Sequence, residues 1–196
     1  MHKKNYLILS IICLIAFLVI LAGINSFNFD KSINNYFSGS QNSLLLSFSL
    51  IIAFIFDTAS MIIIILITSF ILWFYKKRKE AVFLILLLVA DDILVYLFKH
   101  IIKRARPENL IETGFSFPSG HSMIVVVFLG FMIYFFAGKI KNKPAKIGFI
   151  AIAIALVLLA SLSRLILGVH WFTDVLAGLL LGLFILLGGI WVRKIY

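Results

Sequence analysis

The 196 residues are 63% hydrophobic and 13% charged, with a mean hydropathy of +1.14, which excludes an ordinary soluble domain and indicates a polytopic membrane protein. The net charge of +10 falls mostly in short basic runs between apolar stretches. Membrane topology and an anion site account for it, so no nucleic-acid partner is expected. The one cysteine, Cys13, lies inside an apolar run, which excludes a disulfide framework and a thiolate metal site.

Lys3 and Lys4 precede a first apolar run from Tyr6 to Ile24. It is longer than the apolar region of a signal peptide and no Ala-x-Ala-like site follows, so a retained span is expected. Leu44 to Tyr75 is unbroken apolar sequence. As one helix it would reach about 48 Å, too long for a hydrocarbon core of ~30 Å. Asp57, Thr58 and Ser60 supply N-cap chemistry, so a break is expected there. That leaves Ser43 to Phe56 as an interfacial or re-entrant helix ahead of a second span from Asp57 to Tyr75.

Four more spans are expected, at Ala81 to Phe98, Ser119 to Ala137, Ile147 to Leu162 and Trp171 to Val192. The expected fold is an all-α polytopic membrane protein, six transmembrane helices in one bundle, a single domain over residues 1–196. Of the 18 basic residues, 12 lie in alternate connections or termini: Lys3, Lys4, the run 76–79, Lys139, Lys141, Lys143, Lys146, Arg193 and Lys194. The positive-inside rule then puts both termini in the cytoplasm.

In that orientation three polar clusters meet on the outer face: 99–107 (KHIIKRARP), 118–121 (PSGH) and 163–174 (SRLILGVHWFTD). Ionisable groups are costly in a membrane, so their presence asks for a function. Lys99, Arg106 and Arg164 suit a phosphate, the guanidinium groups as planar forks and the ammonium as a point charge. Lys103 and Arg104 read as side chains snorkelling to lipid headgroups. Pro118, Ser119 and Gly120 open a helix whose free amides form an anion cradle, with a hydroxyl from Ser119. His170 and Asp174 are four residues apart. On one helix face the carboxylate would fix the imidazole tautomer and leave the other nitrogen's lone pair pointing outward. Taken alone, Asp174 reads equally well as a helix cap.

These clusters resemble, at every fixed position, the three-part signature of the PAP2 (type 2 phosphatidic acid phosphatase) superfamily, which includes lipid phosphate phosphatases and vanadium haloperoxidases. Lys99 to Arg106 and Pro107 match the first part, Pro118 to His121 the second, and Ser163, Arg164, His170 and Asp174 the third. The resemblance implies that His170 is the nucleophile and forms a phosphohistidine. It implies that Asp174 orients His170, and that His121 is the general acid and then base. Lys99, Arg106, Ser119, Gly120 and Arg164 would bind the phosphate, with no metal or cofactor.

The resemblance implies a lipid phosphate drawn from the bilayer as substrate, with membrane lipids around the chain and no obligate protein partner. The setting is a bacterial plasma membrane with the site on the extracytoplasmic side. Among the substrates of bacterial relatives, undecaprenyl pyrophosphate is favoured over phosphatidylglycerol phosphate because it is processed on that face. Phosphatidic acid and lipid A phosphates stay open. The alternatives are a phosphotransferase using the same histidine and a non-catalytic lipid-binding protein.

Some polar residues fall outside this scheme. Asp91 and Asp92 lie inside the third span, where hydrogen bonds within the bundle are the simplest expectation, with Asp92 alternatively on a pocket floor. Trp73, Trp171 and Trp191 read as interfacial anchors, and His2 and His100 as solvent or headgroup residues. Glu108 and Glu112 read as loop solvation, or else as residues shaping substrate entry.

Overall fold

The computed structural model describes residues 2–24, 26–38, 42–107 and 112–195, and among these the only regular structure is α-helix. Eight helices follow in order: α1 (Lys3–Ala22), α2 (Phe29–Ser38), α3 (Ser43–Ile55), α4 (Thr58–Phe74), α5 (Arg78–Ile102), α6 (Gly120–Phe136), α7 (Lys143–Ile166) and α8 (Phe172–Arg193). Helices α1, α5, α7 and α8 are long and apolar enough to cross a bilayer. Taking α3 and α4 as one span bent by 45° raises the number among the described residues to five, and α6 is a shorter apolar helix of 17 residues.

The break at Asp57 forms where the capping chemistry predicts it. Asp57 Oδ2 accepts a hydrogen bond from Ala59 N at 3.0 Å, satisfying one of the amides that open α4. The amphipathic helix α2 has no counterpart in the sequence reading. Its ten residues lie well below the length of a span, so a search for apolar runs passes over it.

Helix α8 is the spine, lying against α1 on one side and α6 on the other. Small residues allow the close approach to α6, as membrane helix pairs require. A Cβ at Gly182 would come within 2.9 Å of the Met123 carbonyl, and one at Gly178 would collide with the Ser119 carbonyl oxygen. Ser119 N also donates to the Asp174 carbonyl at 3.0 Å. The second and third polar clusters are thereby locked together by backbone. On the far side of α8, Ser10 Oγ donates to the Phe184 carbonyl and holds α1. At the end away from the clusters, Lys194 Nζ lies 4.6 Å over the Tyr6 ring and Arg193 pairs with Glu80 at 2.8 Å. The start of α1 and the end of α8 therefore share one end of the bundle.

Candidate active site

The first cluster begins in the last turn of α5, which runs to Ile102, four residues past the expected end of the span. Lys103, at φ 52°, turns the chain out of the helix in the left-handed region. The following segment is fastened at several points. Ser116 N donates to the Arg104 carbonyl at 2.9 Å, and Trp171 Nε1 donates to the Ala105 carbonyl at 2.8 Å. Trp171, expected only as an interfacial anchor, thus ties the first cluster to the third.

The clusters meet at a cavity of about 400 Å³ lined by Lys99, Arg106, Gly120, His121 and His170 together with Asp57, Asp92, His100 and Glu112. Five of the eight sequence-predicted site residues therefore line one cavity. The other three are buried and reach the cavity through neighbours. Asp174 lies behind His170, and Arg164 extends to Glu112. Ser119 caps α6, its Oγ accepting from Ser122 N at 3.4 Å and from Ser122 Oγ at 3.1 Å.

His170 is 1% exposed and sits just ahead of α8. Its Nδ1 is 3.6 Å from Asp174 Oδ2, an ion-pair separation longer than a hydrogen bond, and Nδ1 has no hydrogen-bond partner among the described residues. Asp174 Oδ2 also accepts from Trp171 N at 2.9 Å. The two sequence readings of Asp174 therefore coexist: it caps α8 and faces the histidine. On the other side of the ring, Arg106 Nη1 lies 3.2 Å from His170 Nε2 and donates to the Val169 carbonyl at 2.7 Å. A guanidinium only donates, so Nε2 is the acceptor and the ring proton is assigned to Nδ1, towards Asp174. Burial, the largest influence, pushes the His170 pKa down to about 4, with Arg106 and Arg164 adding to the fall and Asp174 opposing it. The ring is neutral at physiological pH.

Glu112, expected as a solvated loop residue, is clamped between two arginines. Oε2 pairs with Arg106 Nη1 at 2.9 Å, and Oε1 forms a very short contact with Arg164 Nη2. A carboxylate in this position satisfies the two guanidinium groups as an anion would. Glu108 lies outside the described residues. His121 Nε2 is 3.3 Å from Asp57 Oδ1, so Asp57 serves both as the cap of α4 and as an imidazole partner. His100 is exposed, as expected, and also borders the cavity, with its Nδ1 2.8 Å from the Tyr96 carbonyl. Asp92 reaches the cavity wall, whereas Asp91 is buried with Oδ1 lacking a hydrogen-bond partner among the described residues. The interior hydrogen bond expected for Asp91 is therefore not made by that oxygen.

Arg104 is the residue sequence reasoning misplaced. Far from snorkelling, it is mostly buried and donates to Asp174 Oδ1 at 2.6 Å and to Asp30 Oδ2 at 2.7 Å. Asp30, on α2 and 2% exposed, drew no attention because it lies 69 residues before the nearest cluster. The only available signal was a lone acid in a chain with eight.

Comparison with known proteins agrees with this geometry. The chain is 40% identical over 98 residues to phosphatidylglycerophosphatase B of Bacillus subtilis (strain 168), an alignment covering 47% of this chain and 48% of the relative. It thus matches about half the length of that curated relative. The fold resembles the crystal structure of a transmembrane PAP2-type phosphatidylglycerolphosphate phosphatase from Bacillus subtilis, with a TM-score of 0.82 and 27% identity, over 95% of this chain and 97% of that one. It also resembles Aquifex aeolicus LpxE in fold, with a TM-score of 0.64 and 22% identity, over 85% and 96% of the two chains. The PAP2 superfamily model matches residues 80–195, more than half the sequence and all three polar clusters, and on that match the chain belongs to the PAP2 superfamily.

Proposed function

We propose that the protein is a membrane lipid phosphatase that removes a terminal phosphate through a phosphohistidine on His170. The observation that carries this reading is the pairing of a neutral His170, its Nε2 turned to Arg106, with two arginines already clamping a carboxylate beside it. A nucleophile and an anion clamp share one cavity.

Nε2 attacks phosphorus, a P–N bond forms, and the P–O bond to the lipid breaks in line. The departing oxygen takes a proton from His121, whose pKa burial pushes down to about 4 in the free protein and which Asp57 and the arriving phosphate dianion pull back up. Water then attacks phosphorus, its proton passes to His121, the P–N bond breaks and inorganic phosphate leaves. Asp174 holds the ring, while Lys99, Arg106, Arg164 and the Gly120 amide, with the Ser119 hydroxyl, stabilise charge on the equatorial oxygens. Asp57 orients His121 from 3.3 Å.

Phosphatidylglycerol phosphate is the first substrate to test, ahead of undecaprenyl pyrophosphate, a choice supported by two relatives that are named for it or described as acting on it. Six spans, cytoplasmic termini and an extracytoplasmic site complete the proposal. The start of α1, the end of α8 and Arg78 and Lys79 gather at the end opposite the cavity, which supports that topology.

The test is phosphate release by detergent-purified protein from a panel of phosphatidylglycerol phosphate, undecaprenyl pyrophosphate, phosphatidic acid and lipid A phosphates, with a chelator present and His170→Ala as control. Release that persists with chelator and vanishes in the variant is expected. Release that requires an added acceptor would make the protein a phosphotransferase, and no release from any lipid would favour a binding protein.

Two further outcomes follow from the site. A phosphate dianion must displace Glu112, which is partly exposed. Glu112→Gln is therefore expected to lower KM and the inhibition constant of inorganic phosphate by about fivefold, the effect of removing ~1 kcal/mol of competition. A rise in KM would instead make Glu112 a prop for the arginines.

The second outcome concerns the ring itself. The folded value near 4 lies below the ordinary 6.5, so the unfolded chain binds the extra proton between those values. Stability is retained above about 6.5 and falls as the pH drops towards 4. In imidazole-¹⁵N-labelled protein, with His170→Ala for assignment, the His170 signal should remain that of a neutral ring at pH 5. A signal half-titrated near 6.5 would contradict the burial argument.

A further inference from the structure

The network behind Asp174 is more elaborate than holding a helix end requires. Arg104 Nη1 donates to Asp174 Oδ1 at 2.6 Å and to Thr173 Oγ1 at 2.7 Å. Its Nη2 donates to Asp30 Oδ2 at 2.7 Å and to the Ile24 carbonyl at 3.3 Å, and its guanidinium carbon lies 5.5 Å over the Trp171 ring. Asp30 answers from the other side. Its Oδ1 accepts from Thr173 N at 3.0 Å and its Oδ2 from Thr173 Oγ1 at 2.5 Å. Asp30 and Asp174 are both fully enclosed, at 2% and 0% exposure. Two such carboxylates on one set of partners would repel each other strongly, and the guanidinium between them relieves this.

With Trp171 N on its Oδ2, Asp174 has both oxygens pinned and cannot rotate away from His170. Its charge is shared as well. Arg104 draws on the carboxylate and Asp30 draws on Arg104, so the three groups together carry one negative charge.

We infer that Arg104, held in place by Asp30, is a positioning residue that fixes the orientation and the effective charge of Asp174 and thereby prepares Nε2 of His170 for phosphoryl transfer. The inference rests on His170 being the nucleophile. It brings α2, a short helix outside the three motifs, into the workings of the site.

The other charged groups facing His170 are Arg106 on the segment after α5, Arg164 on α7 and Lys99 on α5. The cavity is also lined by Glu112, His121 at the start of α6, Asp57 at the start of α4, and Asp92 and His100 on α5. Among the described residues Arg106, Arg164, Lys99, His121 and Asp57 form no hydrogen bond or ion pair with Arg104 or Asp30, whereas Asp174 bonds directly to Arg104, so changes at the pair reach His170 through Asp174. Arg104→Gln removes a positive charge from behind Asp174, favours the imidazolium and should raise the His170 pKa. Asp30→Asn removes a negative charge and should lower it. A purely structural tie would not move the ring in opposite directions.

The experiment uses full-length protein in detergent, with phosphate release from phosphatidylglycerol phosphate and ¹⁵N titration of the His170 ring. Arg104→Gln is expected to lower kcat by about 10- to 100-fold with KM within about twofold, as for outer partners that orient a working histidine. The ring should titrate about one unit higher in Arg104→Gln and about one unit lower in Asp30→Asn. Arg104 and Asp30 also line an open groove of about 440 Å³, so in Arg104→Ala added guanidinium ion has a path to the vacated position and should restore part of kcat.

Unchanged kcat in Arg104→Gln would overturn the inference. So would a loss of kcat with the ring titration unmoved and no recovery by guanidinium. Asp30→Asn is isosteric and decides the matter in the same way should the Arg104 variants fail to fold. The His170→Ala control separates the two levels. If it retains phosphate release, the nucleophile assignment fails; if it is inactive while Arg104→Gln turns over normally, only the role assigned to Arg104 fails.

Discussion

Replacing His170 by alanine is expected to lower phosphate release by about 10⁴-fold or more, the scale on which removal of a nucleophile acts. Stability should barely respond. The imidazole is buried, but its Nδ1 lacks a hydrogen bond among the described residues and the Arg106 that bonds Nε2 keeps the Val169 carbonyl and Glu112 as partners, so little favourable polar energy disappears with it. The new space opens onto an existing cavity rather than a sealed void. Asp174 keeps Arg104 and Trp171 N as partners, so no buried carboxylate is stranded. Phosphate release and thermal unfolding, measured on one detergent preparation, check both halves. A variant retaining most of its turnover would remove His170 from the mechanism, and a large fall in Tm would show that the ring has a packing role instead.

The second large effect is expected at a residue that has no side chain. A methyl group at Gly178 collides with the Ser119 carbonyl oxygen, a backbone atom that cannot step aside without moving the first turn of α6. That turn carries Gly120 and His121, and Ser119 N is bonded to the Asp174 carbonyl. Gly178→Ala therefore wedges the second cluster away from the third. Overpacking of this kind costs about 1–3 kcal/mol, or about 3–10 °C in Tm for a chain of this size. Activity should suffer more than stability, because a displacement of ~1 Å at a reacting centre costs about 100-fold. At Gly148, on α7, a methyl group would meet nothing within 4 Å. Gly148→Ala is the control and should leave both Tm and turnover intact. Equal behaviour of the two variants would mean that the α6–α8 contact does not set the site.

Much of this was legible in the chain. Helices occupy all six stretches where apolar runs of near-spanning length are bounded by charge, and the break at Asp57 appears where a capping residue interrupts too long a run. Such features are local: helix length, capping and hydropathy depend on residues a few positions apart. His170 and Asp174 were legible as a pair for the same reason, four residues being about one turn. Glu112 and Arg104 were misjudged because partners that define them, Arg164 and Asp30, lie 52 and 74 residues away. Nothing in a loop glutamate announces two arginines, and an arginine at a helix end looks alike whether it reaches lipid headgroups or a buried aspartate.

From sequence alone come the membrane class, the helices, the three motifs and the chemistry they can support, because these depend on composition and short-range spacing. Only the tertiary structure decides which cations share an anion, which guanidinium stands behind Asp174, and that α2 takes part at all. Those assignments depend on how closely α6 and α8 approach at Gly178 and Gly182 and on which buried charges can neutralise one another. Both are properties of packing in three dimensions, where a charge withdrawn from solvent must find its partner wherever in the chain that partner lies.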